Sequence, residues 1–153
     1  MSILKSEVAR CAAEIRKILK EKNIKASVRS EQFSLGNSVR VEIKEIVDPE
    51  VYKALKEELA KYQYGHFNGM EDIYEYSNNR DDIPQTKFLS INYDWRLHDK
   101  AFQKLEEFVR EKVNLGDSHN PDYEYKRLAN DLLYGRDDFI PWQEVENVIK
   151  EVA

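Results

Sequence analysis

Tyr62-Gln63-Tyr64-Gly65-His66-Phe67-Asn68-Gly69-Met70-Glu71-Asp72-Ile73-Tyr74-Glu75-Tyr76 is the stretch on which the reading of this chain turns. It holds five aromatic rings, one histidine and three carboxylates, and two of the chain's five glycines bracket His66-Phe67-Asn68. So many rings do not belong in a solvated linker. Two glycines so close together are too costly for one helix. The stretch therefore predicts a shaped, adhesive element that joins a helix to a strand.

Upstream of it the pattern is regular. Leu4, Val8, Cys11, Ile15, Ile18 and Leu19 recur at three- and four-residue steps, which places them on one face of a helix. Asn23 fits its C-terminal end, where a left-handed residue is tolerated. Lys25 to Ser30 is a short strand, and Ser38 to Lys44 alternates with Val39, Val41 and Ile43 facing in. Ser34-Leu35-Gly36-Asn37 supplies the turn. Asp48-Pro49 opens a second helix. Its stripe is Tyr52, Leu55, Leu59 and Tyr62, and Gly65 is expected to end it.

Downstream, Ile73 to Ser77 and Lys87 to Trp95 read as strands, the latter with Leu89, Ile91, Tyr93 and Trp95 on one face. A polar loop closed by Pro84 separates them. From Leu97 onward the pattern is helical. Asn120-Pro121 and Pro141 open the last two helices, and Trp142, Val145, Ile149 and Val152 line the final one.

This order predicts an α+β fold. A four-stranded antiparallel sheet in αββαββ order carries helices on one face, with a helical C-terminal extension. Residues 1–153 are expected to form a single domain, 1–95 the core and 96–153 the extension. The other sheet face, with Arg40, Lys44, Lys87, Ser90 and Asn92, would then meet water.

Composition excludes several functions. Net charge is −5, from 29 acidic and 24 basic residues, which argues against a general duplex-DNA binder. A single cysteine, Cys11, allows no intramolecular disulfide and points to a reducing compartment. No apolar run is long enough to span a bilayer and no signal peptide opens the chain, so a cytoplasmic protein without membrane contact is expected.

Catalytic and cofactor motifs are missing. No two of His66, His98 and His119 have the spacing of a helical zinc pair, and there is no Cys-x-x-Cys. Neither a metal nor another cofactor is expected, and five dispersed glycines make no phosphate loop. Cys11, beside Ala12 on the apolar helix face, reads as a small buried hydrophobe. His66, within reach of Asp72 or Glu71 after a turn, is open to two readings. It is a general base or a pH-sensitive contact, or a loop residue whose ring caps a helix or bonds a backbone carbonyl.

The rings also have two readings. Tyr62, Tyr64, Phe67, Tyr74 and Tyr76 are core and cross-strand packing, or an exposed recognition surface. Arg29, Arg40, Lys44, Arg80 and Lys87 beside them would supply the basic component of a single-strand nucleic-acid site. Glu42, Glu71, Asp72, Glu75, Asp81 and Asp82 weigh against that, because a mixed-sign surface usually means solvated ion pairs. Asp81-Asp82 and Asp137-Asp138, with Asp117 and Asp122, offer a negative face to a basic partner, or serve as caps and turns.

These residues also resemble a known family. Ile15-Arg16, Leu19-Lys20, Ala26-Ser27-Val28-Arg29-Ser30, Phe33-Ser34 and Gly36-Asn37-Ser38-Val39-Arg40-Val41 look like the large polyvalent protein-associated domains of phages and conjugative elements. The block Lys61 to Met70 with Asp72 to Asn78 is the most specific part, continued by Asp81-Asp82-Ile83-Pro84-Gln85 and Lys87-Phe88. The likeness spans about residues 8–93. Ile43 to Pro49 departs from the family pattern, and the helical tail after Trp95 has no counterpart in it.

The resemblance implies a mobile-element context and no catalytic residues. The expectation is a non-enzymatic binding protein that inhibits a host nucleic-acid-targeting defence system, of anti-CRISPR or anti-restriction type. Its partner is a host or mobile-element protein, such as a defence nuclease complex. The expected contact residues are Tyr62, Tyr64, His66, Phe67, Asp72, Tyr74, Tyr76 and Arg80. The alternative is a single-stranded nucleic-acid-binding module using Arg29, Arg40, Lys44 and Lys87 on the open sheet face.

Overall fold

The computed structural model describes residues 6–116, 118–136 and 139–150. Leu4 and Val152, assigned above to helices, and Asp117, Asp137 and Asp138 lie outside them. The chain is α+β. It divides into two compact units, Met1–Lys44 with Leu55–Asn92, and Glu45–Ala54 with Tyr93–Ala153.

In the first unit α1 runs from Glu7 to Glu21. Ser6 caps it, accepting from the Ala9 amide at 3.3 Å. Asn23 ends it at φ 58°, the left-handed conformation its side chain tolerates. The buried face is Val8, Cys11, Ala12, Ile15 and Leu19. It packs on the hairpin of β1 (Ala26–Phe33) and β2 (Gly36–Ile43). Val28 sits opposite Val41 in the antiparallel register, and Arg29 opposite Arg40. Val28, Val39, Val41 and Ile43 are buried while Arg29 and Arg40 are exposed, as the period of two requires. β5 (Phe88–Tyr93) lies beside β2, giving a three-stranded sheet in the order β1-β2-β5.

The four-stranded sheet does not form. The strand expected over Ile73 to Ser77 is β4 (Ile73–Glu75), and it pairs with β3 (His66–Asn68) in a separate two-stranded sheet. Its antiparallel register is His66 with Glu75, Phe67 with Tyr74, and Asn68 with Ile73. Local turn chemistry is the cause. Asn68 Oδ1 accepts from the Met70 and Glu71 amides at 3.0 and 3.3 Å, and Asp72 takes φ 56°. The chain thus reverses before β4 can reach the larger sheet.

Boundaries also shift: β1 runs on to Phe33 and β2 starts at Gly36, which tightens the expected turn. α2 (Pro49–Leu59), which starts in the second unit and ends in the first, gives way at Ala60–Tyr62 to one 3-10 turn. Gly65 therefore precedes β3 and does not cap α2. β5 stops at Tyr93, because Asp94 accepts from the Arg96 and Leu97 amides at 3.0 and 3.3 Å and caps α3 (Trp95–Lys112). Trp95, expected on the buried strand face, becomes an exposed first-turn residue.

The second unit is a helical core. Ala101, Leu105 and Val109 of α3 meet Leu128, Ala129, Leu132 and Leu133 of α4 (Pro121–Tyr134), with Val145 and Ile149 of α5 (Trp142–Ile149). Asn120 caps α4 and Gly135, at φ 68°, closes it. Tyr52, Tyr93 and Tyr134 form a ring cluster, with 4.9 Å between the centroids of the first two. The Tyr93 hydroxyl accepts from the Val47 amide at 3.2 Å. No helix among the described residues is long and apolar enough to cross a membrane.

Candidate functional site

The aromatic stretch is held in place by buried amides. Gln85 and Thr86 are buried polar residues just before β5. Gln85 Nε2 donates to the Lys61 and Asn78 carbonyls, both at 2.8 Å, and its Oε1 accepts from the Arg80 amide at 2.8 Å. Thr86 Oγ1 donates to Asn37 Oδ1 at 3.0 Å, which also accepts from the Lys87 amide at 2.8 Å. Gln63 donates to the Gly65 carbonyl at 2.6 Å and accepts from the Leu89 amide at 2.7 Å. Three segments distant in sequence are thereby locked together, since polar groups that are buried (Gln85, Thr86) or half-buried (Asn37, Gln63) are costly to leave unpaired.

On this frame five rings form a chain of contacts. Phe33 stacks on Phe88 with centroids 6.3 Å apart, and Phe88 meets the edge of Tyr74 at 5.5 Å. Tyr74 touches Tyr76 and Tyr64 at 5.2 and 6.0 Å, and those two stack at 5.5 Å. The Tyr74 hydroxyl donates to the Lys87 carbonyl at 2.5 Å. Burial, then the neighbouring phenols of Tyr64 and Tyr76, push its pKa up to about 12. Gly65 is required beneath this ring. A Cβ there would lie 2.1 Å from the Glu75 carbonyl oxygen and 2.4 Å from Tyr74 Cε1.

The outer part of the element faces solvent. Tyr76 is 62 % exposed, Phe67 57 % and Met70, at the turn, 98 %. Glu71 and Asp72 are exposed in the hairpin turn. Tyr64, Phe67, Tyr74 and Tyr76 are thus brought to one element, Tyr74 and Tyr64 partly buried beneath the exposed rings.

The remaining expected contacts lie elsewhere. Tyr62 is a core residue, 3 % exposed, and its hydroxyl donates to Glu14 Oε2 at 2.9 Å. Arg80 forms a two-pronged pair with Asp82, at 3.0 and 2.5 Å, and that guanidinium holds the Asp82 carboxyl below the usual range. Lys44 bonds Glu42 at 3.2 Å. Lys87 is also engaged. Its Nζ donates to the Leu35 carbonyl at 3.0 Å and lies over the Tyr74 and Phe88 rings. Arg29 and Arg40 stand across from each other on the exposed face of the β1–β2 hairpin.

His66 does not meet Asp72, which is taken into the hairpin turn. Its Nε2 lies 3.2 Å from Glu75 Oε2, and its Nδ1 3.0 Å from Ser77 Oγ. A hydroxyl, an imidazole and a carboxylate in contact have the order of a proton relay. The ring is half exposed, however, and the second Glu75 oxygen is occupied by Asn68 Nδ2 at 2.7 Å. Water around the ring removes the low-dielectric setting that makes such a relay effective. The contacts join His66 in β3 to Glu75 in β4 and to Ser77 just beyond it. Cys11 is buried, and its thiol is pushed up to about 12 by that burial and by Glu14 and Glu7. No group of three or more potential metal ligands gathers among the described residues.

The fastening roles of Gln63, Asn37, Asn78, Gln85 and Thr86 leave no mark in the sequence, because most of their partners are distant in it. A local signal was present in Asn68-Gly69, a strong hairpin dipeptide.

The chain belongs to the family described as large polyvalent protein associated domain 29, whose model matches residues 6–101. The match runs from α1 into the first part of α3, leaving α4 and α5 beyond it. The family points to association with polyvalent proteins of phages and mobile elements. No curated protein and no solved structure matches the chain.

Proposed function

We propose, with that membership as premise, that this chain is a non-enzymatic binding module of a phage or mobile element. It docks a protein partner through the β3–β4 hairpin. The observation that carries the reading is that one hairpin carries Phe67, Met70 and Tyr76, all exposed, and is joined to the amide-locked frame. Rings presented on a preorganised support lose little freedom on binding, which favours tight association. Glu71 and Asp72, exposed in the hairpin turn, offer carboxylates suited to a basic partner surface. Nucleases of nucleic-acid-targeting defence systems carry such surfaces in order to hold phosphates. Blocking one is the role assigned to this module.

The test is affinity capture from host cells, with a parallel nuclease-treated sample, using the wild type and a Met70→Glu/Tyr76→Ala variant. A protein retained by the wild type after nuclease treatment and released by the variant is expected. That partner should be a defence nuclease, inhibited in vitro only by the wild type. Equal retention of the partner by a folded variant would refute the assignment of the surface.

A further inference from the structure

We infer that the exposed face of the three-stranded sheet binds a short single strand of nucleic acid. One phosphate would be gripped between Arg29 and Arg40, and a base would rest on the Phe33–Phe88 ring pair. This goes beyond the hairpin reading and rests on other residues of the same unit, Arg29, Arg40, Phe33 and Phe88.

The first observation is the arginine pair. Arg29 and Arg40 are directly opposed in the β1–β2 register, and both are exposed. Like charges directly across a ladder destabilise a sheet. Glu31 and Glu42 flank the pair on the same face. Yet Glu42 is bonded by Lys44 at 3.2 Å, and neither arginine has a hydrogen-bond or ion-pair partner among the described residues. Arg29 and Arg40 border a hollow of about 270 Å³, with Ser30, Glu31 and Ser38 completing its lining. An anionic oxygen cluster placed there meets planar donors from both sides, an arrangement suited to phosphate.

The second observation is the ring pair on the same face. Positions 29, 31 and 33 of β1 point to one side, and Phe33 reaches Phe88 of β5, 6.3 Å between centroids. The ring crosses beside Gly36, where a Cβ would lie 3.6 Å from Phe33 Cε2 and 2.7 Å from Lys87 Cδ. Both rings keep more than a third of their surface open to water. Four residue steps along the strand separate Phe33 from Arg29, about 13 Å, a span that a strand of a few nucleotides covers. An open basic site with aromatic faces selects single strands, whose bases are free to stack. A duplex hides those faces. An acidic peptide would satisfy the arginines and leave the rings unused.

Anisotropy of a labelled oligo(dT) strand tests this between about 50 and about 200 mM salt. Wild-type protein should bind at low salt, with log K falling by about 0.7 per decade of salt for each phosphate neutralised. Arg29→Gln/Arg40→Gln should weaken binding at low salt by at least tenfold and flatten that slope. Phe33→Ala should weaken it by about five- to a hundredfold, the range set by base–aromatic stacking. Lys17→Gln/Lys20→Gln, the same loss of two charges at exposed positions of α1, should leave it within about twofold. Unlabelled duplex and oligo(Glu) should compete poorly.

Melting curves confirm that each variant is folded. Failure of the wild type to bind at low salt would overturn the inference. So would equal affinity for duplex, full displacement by oligo(Glu), or a folded arginine double variant that binds like the wild type.

Discussion

Replacing Gly65 by alanine tests whether the hairpin is fastened to its frame through Tyr74. The new Cβ would sit 2.1 Å from the Glu75 carbonyl oxygen, 2.4 Å from Tyr74 Cε1 and 2.9 Å from its Cζ. Ordinary contact begins at 3.4 Å, so a backbone carbonyl of β4 has to retreat by more than an ångström. The ring must move as well, which breaks the 2.5 Å hydrogen bond from its hydroxyl to the Lys87 carbonyl. Overpacking of this kind costs about 1–3 kcal/mol. The lost hydrogen bond adds about 0.5–1.5 kcal/mol. Together they amount to about 2–4 kcal/mol, a large share of the stability of an ordinary domain.

A short hairpin has the alternative of opening locally. Amide hydrogen exchange over residues 64–78 should therefore be read beside urea unfolding. Exchange in Gly65→Ala should be faster there by about one to three powers of ten, corresponding to that energy range. Gly69→Ala is the matched control, since nothing lies within 4 Å of its added Cβ, and it should stay within about 0.5 kcal/mol of the wild type. Wild-type protection in Gly65→Ala, or an equal loss in Gly69→Ala, would refute the reasoning.

Three further outcomes follow from the same physics. Gln85→Leu strands the Asn78 carbonyl and the Arg80 amide and leaves the Lys61 carbonyl only its longer bond from Asn78, and urea unfolding should show a loss of about 2–4 kcal/mol. Leu105→Ala empties a fully buried site in the helical unit. Trp95 and Trp142 both lie in that unit, so their fluorescence should report a loss of about 2–5 kcal/mol. High pH should unfold the protein. Burial raises Cys11 from 9.0, and Tyr52 and Tyr74 from 10.0, each to about 12. Because the folded values lie above the unfolded ones, their contribution is complete below about pH 9 and is lost as pH climbs to about 12. Thermal midpoints should stay level at first and then drop across that window, with phenolate absorbance rising together with unfolding.

The amino-acid sequence by itself determined what is local. Ser6, Asp48, Asn120 and Gly135 mark helix ends through caps and a left-handed residue. The alternation of Val39, Val41 and Ile43 assigns the buried face of β2. The family block around the hairpin was legible too, because a run of rings broken by glycines is a local pattern. Tertiary structure decided which rings are available. Tyr62 and Tyr76 are the same residue type in one stretch, yet one donates to Glu14 inside the core while the other stands in water.

It also decided that β4 pairs with β3, that His66 meets Glu75, and that Lys87 is spent on Leu35. The physical reason is range. Caps and alternation act over a few residues, whereas the bonds of Asn37 to Thr86 and Lys87, and of Gln85 to Lys61, join positions 24 to 50 residues apart. Such bonds exist only once the chain has closed on itself, and they leave no periodic trace along it.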